Sequence, residues 1–90
     1  MTTINFSETP TGGKFYIADY AKMTFVKSTN NIIDVNHTWV SPDHRGEGLA
    51  HDLYRQMISY ARKNNLKVIP SCSFVRKMLT DNSADLDLLA

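Results

Sequence analysis

The apolar residues of this chain change period once, and the change falls around a loop with two glycines. From Ile32 to Val40, "IIDVNHTWV" is rich in β-branched and aromatic residues, as a half-buried strand is. From Leu49 onward, Leu49, Ala50, Leu53, Tyr54, Met57, Ile58 and Ala61 recur at three- and four-residue steps. Asp52, Arg55, Gln56, Ser59 and Arg62 take the opposite side. That is an amphipathic helix with one face for a sheet. It stops near Lys63–Asn65, where Asn and cations suit a C-terminus. "LKVIP" then reads as a short buried strand ended by Pro70. A strand, a helix and a second strand in that order form a crossover, so the two strands run parallel.

The rest of the chain completes a mixed sheet. "TINFSE" reads as a first strand and Thr9–Gly13 as a turn. Phe15 and Ile17 alternate with Lys14, Tyr16 and Ala18, and Met23 and Phe25 with Lys22, Thr24 and Val26, which gives two more strands with a break near Asp19. Ser28–Asn31 has the composition of a hairpin turn. "SCSFVRKMLT" predicts a short second helix with Ser71 as its N-cap. The tail "DNSADLDLLA" has no clear period. The expected class is α+β: antiparallel strands, then a β-α-β crossover, a helix packed on the sheet and a short C-terminal helix.

Ninety residues fit one domain spanning 1–90. No apolar run is long enough to span a membrane, and "MTTINFSETP" lacks the basic-then-apolar pattern of a secretory signal. Cys72 is the only cysteine, which excludes an intrachain disulfide and fits a reducing compartment, so cytoplasm is expected. The net charge of +1 hides an uneven distribution. Arg45, Arg55, Arg62, Lys63, Lys67, Arg76 and Lys77 outnumber Asp43, Glu47 and Asp52 in the segment around the glycines. That excess suits a small polyanion and is too mixed for a nucleic-acid surface. His37, His44, His51 and Cys72 lack helical metal spacing and a joining carboxylate cluster, so no metal site is expected.

A helix N-terminus leaves N–H groups unpaired and carries partial positive charge, so it can take a phosphate where no side chain blocks the approach. Gly46 and Gly48 meet that condition, although glycines before a helix also serve turn geometry alone. The Gly-Lys-Ser/Thr triplet of a P-loop is absent, and a dinucleotide fingerprint would need glycine where His51 stands. Arg45-Gly46-Glu47-Gly48-Leu49-Ala50 instead resembles the R/Q-x-x-G-x-G/A signature of the GCN5-related N-acetyltransferases. The likeness extends to "HTWV", to the glycine loop and to "PSCSFV", which together resemble the small single-domain branch of that superfamily over roughly residues 37–79. The tail "TDNSADL" departs from that branch, which often carries a His and an acidic-aromatic pair there.

The resemblance implies acetyl-CoA as cosubstrate and an amine as acceptor, small molecule or protein. It implies that the pyrophosphate rests on N–H groups from Arg45, Gly46, Glu47, Gly48, Leu49 and Ala50. The pantetheine arm would then follow the strand edge at Thr38, Trp39 and Val40, and Arg45, Arg76 and Lys77 could meet the nucleotide phosphates. His37 is a candidate general base, expected on the face of Val35 and Trp39 and opposite Thr38, or else a structural histidine. Cys72, at a helix start, is a candidate nucleophile or a residue lining the site, or else a small buried hydrophobe. A CoA-binding module without catalysis is the alternative function. A small interaction domain without a ligand is the third.

Overall fold

The computed structural model describes residues 3–29 and 31–90. Strands β1 (Asn5–Thr9), β2 (Gly12–Ile17), β3 (Ala21–Thr29) and β4 (Ile32–Val40) pair antiparallel in sequence order. Helix α1 (Leu49–Lys63) then crosses over to β5 (Lys67–Pro70), which runs parallel to β4. Helix α2 (Ser73–Asp81) follows, and the tail forms a 3-10 turn over Ser83–Leu88. The mixed α+β sheet expected from the sequence is the one observed.

Alternation puts Phe15, Ile17, Ala21, Met23, Phe25, Ile33, Val35 and Val68 on one face of the sheet, all buried. The α1 stripe Leu49, Leu53, Tyr54, Met57, Ile58 and Ala61 packs on them, with Val75 and Leu79 of α2 beside it. Both helices thus cover the same face. The other face carries Lys14, Tyr16, Lys22, Thr24, Val26 and Trp39, and no described element lies over it.

Several local expectations give way to packing. The turn read at Thr9–Gly13 is tighter, because Gly12 and Gly13 belong to β2. A Cβ on Gly12 would stand 2.3 Å from the Phe25 carbonyl oxygen, and one on Gly13 2.8 Å from the Phe25 ring, so close strand approach requires both glycines. Ser28 and Thr29 extend β3 instead of turning, and Asn30 of the expected hairpin lies outside the described residues. Cys72, not Ser71, is the N-cap of α2, because the Cys72 N–H is held by the Val35 carbonyl at 3.0 Å and the helix starts one residue later.

The tail, without a period in the sequence, is held by long-range polar contacts. Tyr54 Oη donates to Asp85 Oδ2 at 2.8 Å, and Arg62 reaches Asp85, Asp87 and the Ala84 carbonyl. Ala90 N–H then bonds the Val68 carbonyl at 2.9 Å, along the outer edge of β5. Burial, then the Asp85 carboxylate, pushes the Tyr54 phenol above its ordinary range. The Arg62 guanidinium lowers the Asp87 carboxyl, so this ion pair contributes at neutral pH and is lost as pH falls through that depressed value. Tyr54→Phe is expected to cost about 1 kcal/mol of stability, the scale of one hydrogen bond. Amide protection factors over Ser83–Leu88, corrected for intrinsic exchange, should fall in this variant and, in the wild type, on acidification.

Candidate active site

The site begins where β4 parts from β5. Their pairing covers Ile32–Val35 against Lys67–Pro70 and then stops. Pro70 brings no N–H to continue the ladder, and the chain turns into α2 with Cys72 N–H on the Val35 carbonyl. From His37 to Val40, β4 is paired only with β3.

Strand geometry says which groups this leaves free. Ser41 N–H bonds the Tyr20 carbonyl at 2.7 Å, toward β3. Successive residues point their main-chain polar groups to alternate sides. Trp39 therefore faces β3, while Thr38 and Val40 direct N–H and C=O to the free edge. The Val40 carbonyl accepts Arg45 Nε at 3.2 Å, on that side. Of the three residues expected along this edge, the main chain of Trp39 points away from it.

A register shift between Thr24 and Phe25 changes the faces of the strand end. Val35 pairs with Phe25 but His37 pairs with Thr24, so Asn36 is an extra residue in β4. Thr24 Oγ1 donates to Asn36 Oδ1 at 2.7 Å on the uncovered face. His37 is exposed on that same face with Trp39, opposite Val35. The expectation that His37 shares the face of Val35 is corrected: simple alternation fails because the bulge adds one residue. Thr38 returns to the helix-covered face, where its Oγ1 meets Cys72 Sγ at 3.4 Å. Cys72 is half-buried there.

The glycine loop lies at the other end of the same edge. A 3-10 turn over Pro42–His44 leads through extended Arg45 to Gly46 and Gly48, with φ of +84° and +81°. Left-handed backbone at both positions favours glycine. A Cβ added at either would meet nothing within 4 Å, so neighbouring atoms do not fill the space in front of the loop. Gly48 caps α1 without a side-chain hydrogen bond, and the first helical bond runs from Asp52 N–H to the Gly48 carbonyl at 3.1 Å. The N–H groups of Leu49, Ala50 and His51 have no protein acceptor among the described residues.

A depression of about 420 Å³ lies over this loop, lined by Val40, His44, Arg45, Leu49, His51 and Phe74 with the two glycines. His51 and Phe74 meet edge to face at 5.7 Å between the first turns of α1 and α2. The His44 ring stacks on Tyr20 at 4.0 Å, and its Nδ1 is buried without a hydrogen-bond partner among the described residues. Arg76 and Lys77 lie further along α2, exposed and outside this depression, with Lys77 paired to Asp81 at 2.9 Å. Glu47 is exposed on the loop. His44, His51 and Phe74 were not expected at a ligand site. The one signal for them was proximity in sequence to the loop and to Cys72.

A free strand edge with an uncapped helix start at one end and a thiol at the other leaves room for an extended anionic ligand. Residues 14–88 match the model of the GCN5-related N-acetyl-transferase family. The chain is also similar to the solution structure of a "GCN5-like putative N-acetyltransferase" from Staphylococcus aureus. The two are 34% identical with a TM-score of 0.76, over 100% of this chain and 91% of that one. The chain belongs to the GCN5-related N-acetyltransferase family.

Proposed function

We propose that this chain transfers an acetyl group from acetyl-CoA to an amine. One observation carries the reading: the unpaired edge of β4 runs from the glycine loop to Cys72, with Thr38 and Val40 main-chain groups unused by any strand among the described residues. Acetyl-CoA supplies the activated acetyl thioester and a phosphorylated handle. The residues fit that handle, since three unpaired N–H groups and two glycines with clear space meet in front of α1. Leu49, Ala50 and His51 would bind a phosphate there. Thr38 and Val40 would orient an extended amide-bearing arm by strand-like hydrogen bonds. Phe74 and His51 would cover it from the helix side.

The chemistry needs a neutral amine, a donor for the oxyanion and a proton for the departing thiolate. A free N–H of the β4 edge serves as the donor. Cys72, on the helix side of the opening, is positioned by Thr38 to serve the thiolate or to act as nucleophile. His37, on the uncovered side, is where an approaching amine would give up its proton. His37 and Cys72 thus stand on opposite sides of the sheet, which suits them to different roles. The gap between β4 and β5 is the window between them.

His37→Ala is expected to leave cofactor affinity within several-fold and to lower the transfer rate about 100-fold, the low end for a general base. Release of CoA thiol, followed with an amine acceptor across pH 6–9, checks this. Equal rates for variant and wild type would remove His37 from the reaction. Binding of CoA with no turnover for any amine would favour a CoA-binding module.

A further inference from the structure

We propose that Arg45 makes the site selective for phosphorylated acyl donors, because its side chain occupies a carbonyl of the β4 edge until a phosphate draws it away. This rests on the acetyl-transfer reading, in which Thr38 and Val40 hold the donor's extended arm. The Val40 carbonyl is one of the two acceptors that this edge offers the arm. It is already taken, since Arg45 Nε donates to it at 3.2 Å. The arm and Arg45 therefore compete for one acceptor.

The path of the chain explains the contact. Ser41 N–H bonds the Tyr20 carbonyl at 2.7 Å, and His44 N–H bonds the Ser41 carbonyl at 2.9 Å. The 3-10 turn over Pro42–His44 brings the chain back, so that Arg45 meets the residue five positions earlier. Tyr20 holds both ends of the turn, one through its carbonyl and the other through its ring, on which His44 stacks. The Arg45 backbone thus keeps its place. Arg45 itself is exposed, so its side chain can swing without unpacking the core.

Charge decides when the contact breaks. Among the described residues, Arg45 is the one Arg or Lys lining the depression over the glycine loop, with His44 and His51 beside it and no carboxylate. Its sequence neighbours Asp43 and Glu47 make no ion pair with it among the described residues. Its one hydrogen-bond partner there is the neutral Val40 carbonyl, which takes a single bond. A phosphate on the unpaired N–H groups of Leu49, Ala50 and His51 would stand in the same depression. It carries the opposite charge and accepts two parallel bonds from a guanidinium, so it outcompetes the carbonyl. The exchange frees Val40 as the phosphate arrives. A pantetheine thioester without phosphates has nothing to draw Arg45 off and meets a blocked acceptor.

Pantetheine and CoA share the arm and differ in the phosphorylated nucleotide, so their affinities for the full chain test the exchange. Amide shifts of Thr38 and Val40 follow pantetheine, and calorimetry follows CoA. Arg45→Met, of similar length and without a donor, should bind pantetheine about fivefold tighter, the scale of one competing hydrogen bond removed. It should bind CoA about tenfold more weakly, the scale of one lost contact to a charged group. Saturating inorganic pyrophosphate should tighten pantetheine binding to the wild type about fivefold and leave that of Arg45→Met unchanged. Weaker binding of both ligands to Arg45→Met would make Arg45 a brace for the turn. Unchanged pantetheine binding would make it a phosphate ligand alone. Either result overturns the proposal. Affinity changes of opposite sign with no turnover of acetyl-CoA by any amine would defeat acetyl transfer and leave the exchange standing. No binding of either ligand to the wild type or to Arg45→Met would overturn both.

Discussion

Gly48→Glu is expected to lower acetyl-CoA affinity by about 100-fold or more, because like charges brought together cost several kcal/mol and each 1.4 kcal/mol is a factor of ten. The glycine has φ of +81° and open space before it, so the new carboxylate would extend toward the unpaired N–H groups of α1. Those groups are where a phosphate would bind. The left-handed backbone adds about 1–2 kcal/mol of strain for any side chain. Gly48→Ala is the matched control, since it carries the strain without the charge. Calorimetry should rank the affinities as wild type, then Ala, then Glu with a large final step, while circular dichroism shows both variants folded. Equal losses for Ala and Glu would mean that backbone geometry alone, not anion exclusion, governs the loop.

Cys72→Ala is expected to lower acetyl transfer about 1,000-fold, within the range for loss of a group that moves a proton at the reacting atom. Cys72 Sγ lies 3.4 Å from Thr38 Oγ1, at the point where β4 leaves β5, so removing the sulfur empties the helix side of the window. Cofactor affinity should change little, because the glycine loop is untouched. Two routes then differ in a mass spectrum. If the Cys72 thiolate attacks the acetyl carbonyl and CoA thiol departs, brief exposure to acetyl-CoA without acceptor leaves an acetyl mass on Cys72. If the amine attacks directly, no adduct forms and Cys72 only protonates the departing thiolate. Unchanged turnover in Cys72→Ala would exclude both.

Much of the fold was legible because it rests on local periods. "IIDVNHTWV" occupies β4 from Ile32 to Val40, and the stripe from Leu49 to Ala61 lies inside α1. The family resemblance rested on residues clustered in the same region, and the matched family model spans it. What stayed hidden depends on partners distant in sequence. The bulge at Asn36 follows from the register of β3, so no pattern within β4 reveals that His37 changes face. Gly12 and Gly13 look like turn residues in the sequence because Phe25, whose carbonyl forbids a Cβ at Gly12 and whose ring forbids one at Gly13, comes a strand later. The tail had no period because polar contacts with Tyr54 and Arg62 order it, along with the buried Leu88. Candidate residues can be named from the sequence, but their arrangement around the β4 edge cannot be read there. The family resemblance offers Arg76 and Lys77 for nucleotide phosphates, and the depression over the loop itself is lined by Phe74 and His51.

The most direct test of the account is an amide chemical-shift titration of the chain with CoA. Binding along the free β4 edge predicts the largest shifts at Gly46, Gly48, Leu49, Ala50 and His51, together with Thr38 and Val40, and little change at Trp39, whose N–H faces β3. Shifts concentrated instead in the groove of Glu8, Lys27, Tyr60 and Asn64 at the opposite end of β4, or no shifts at all, would contradict it.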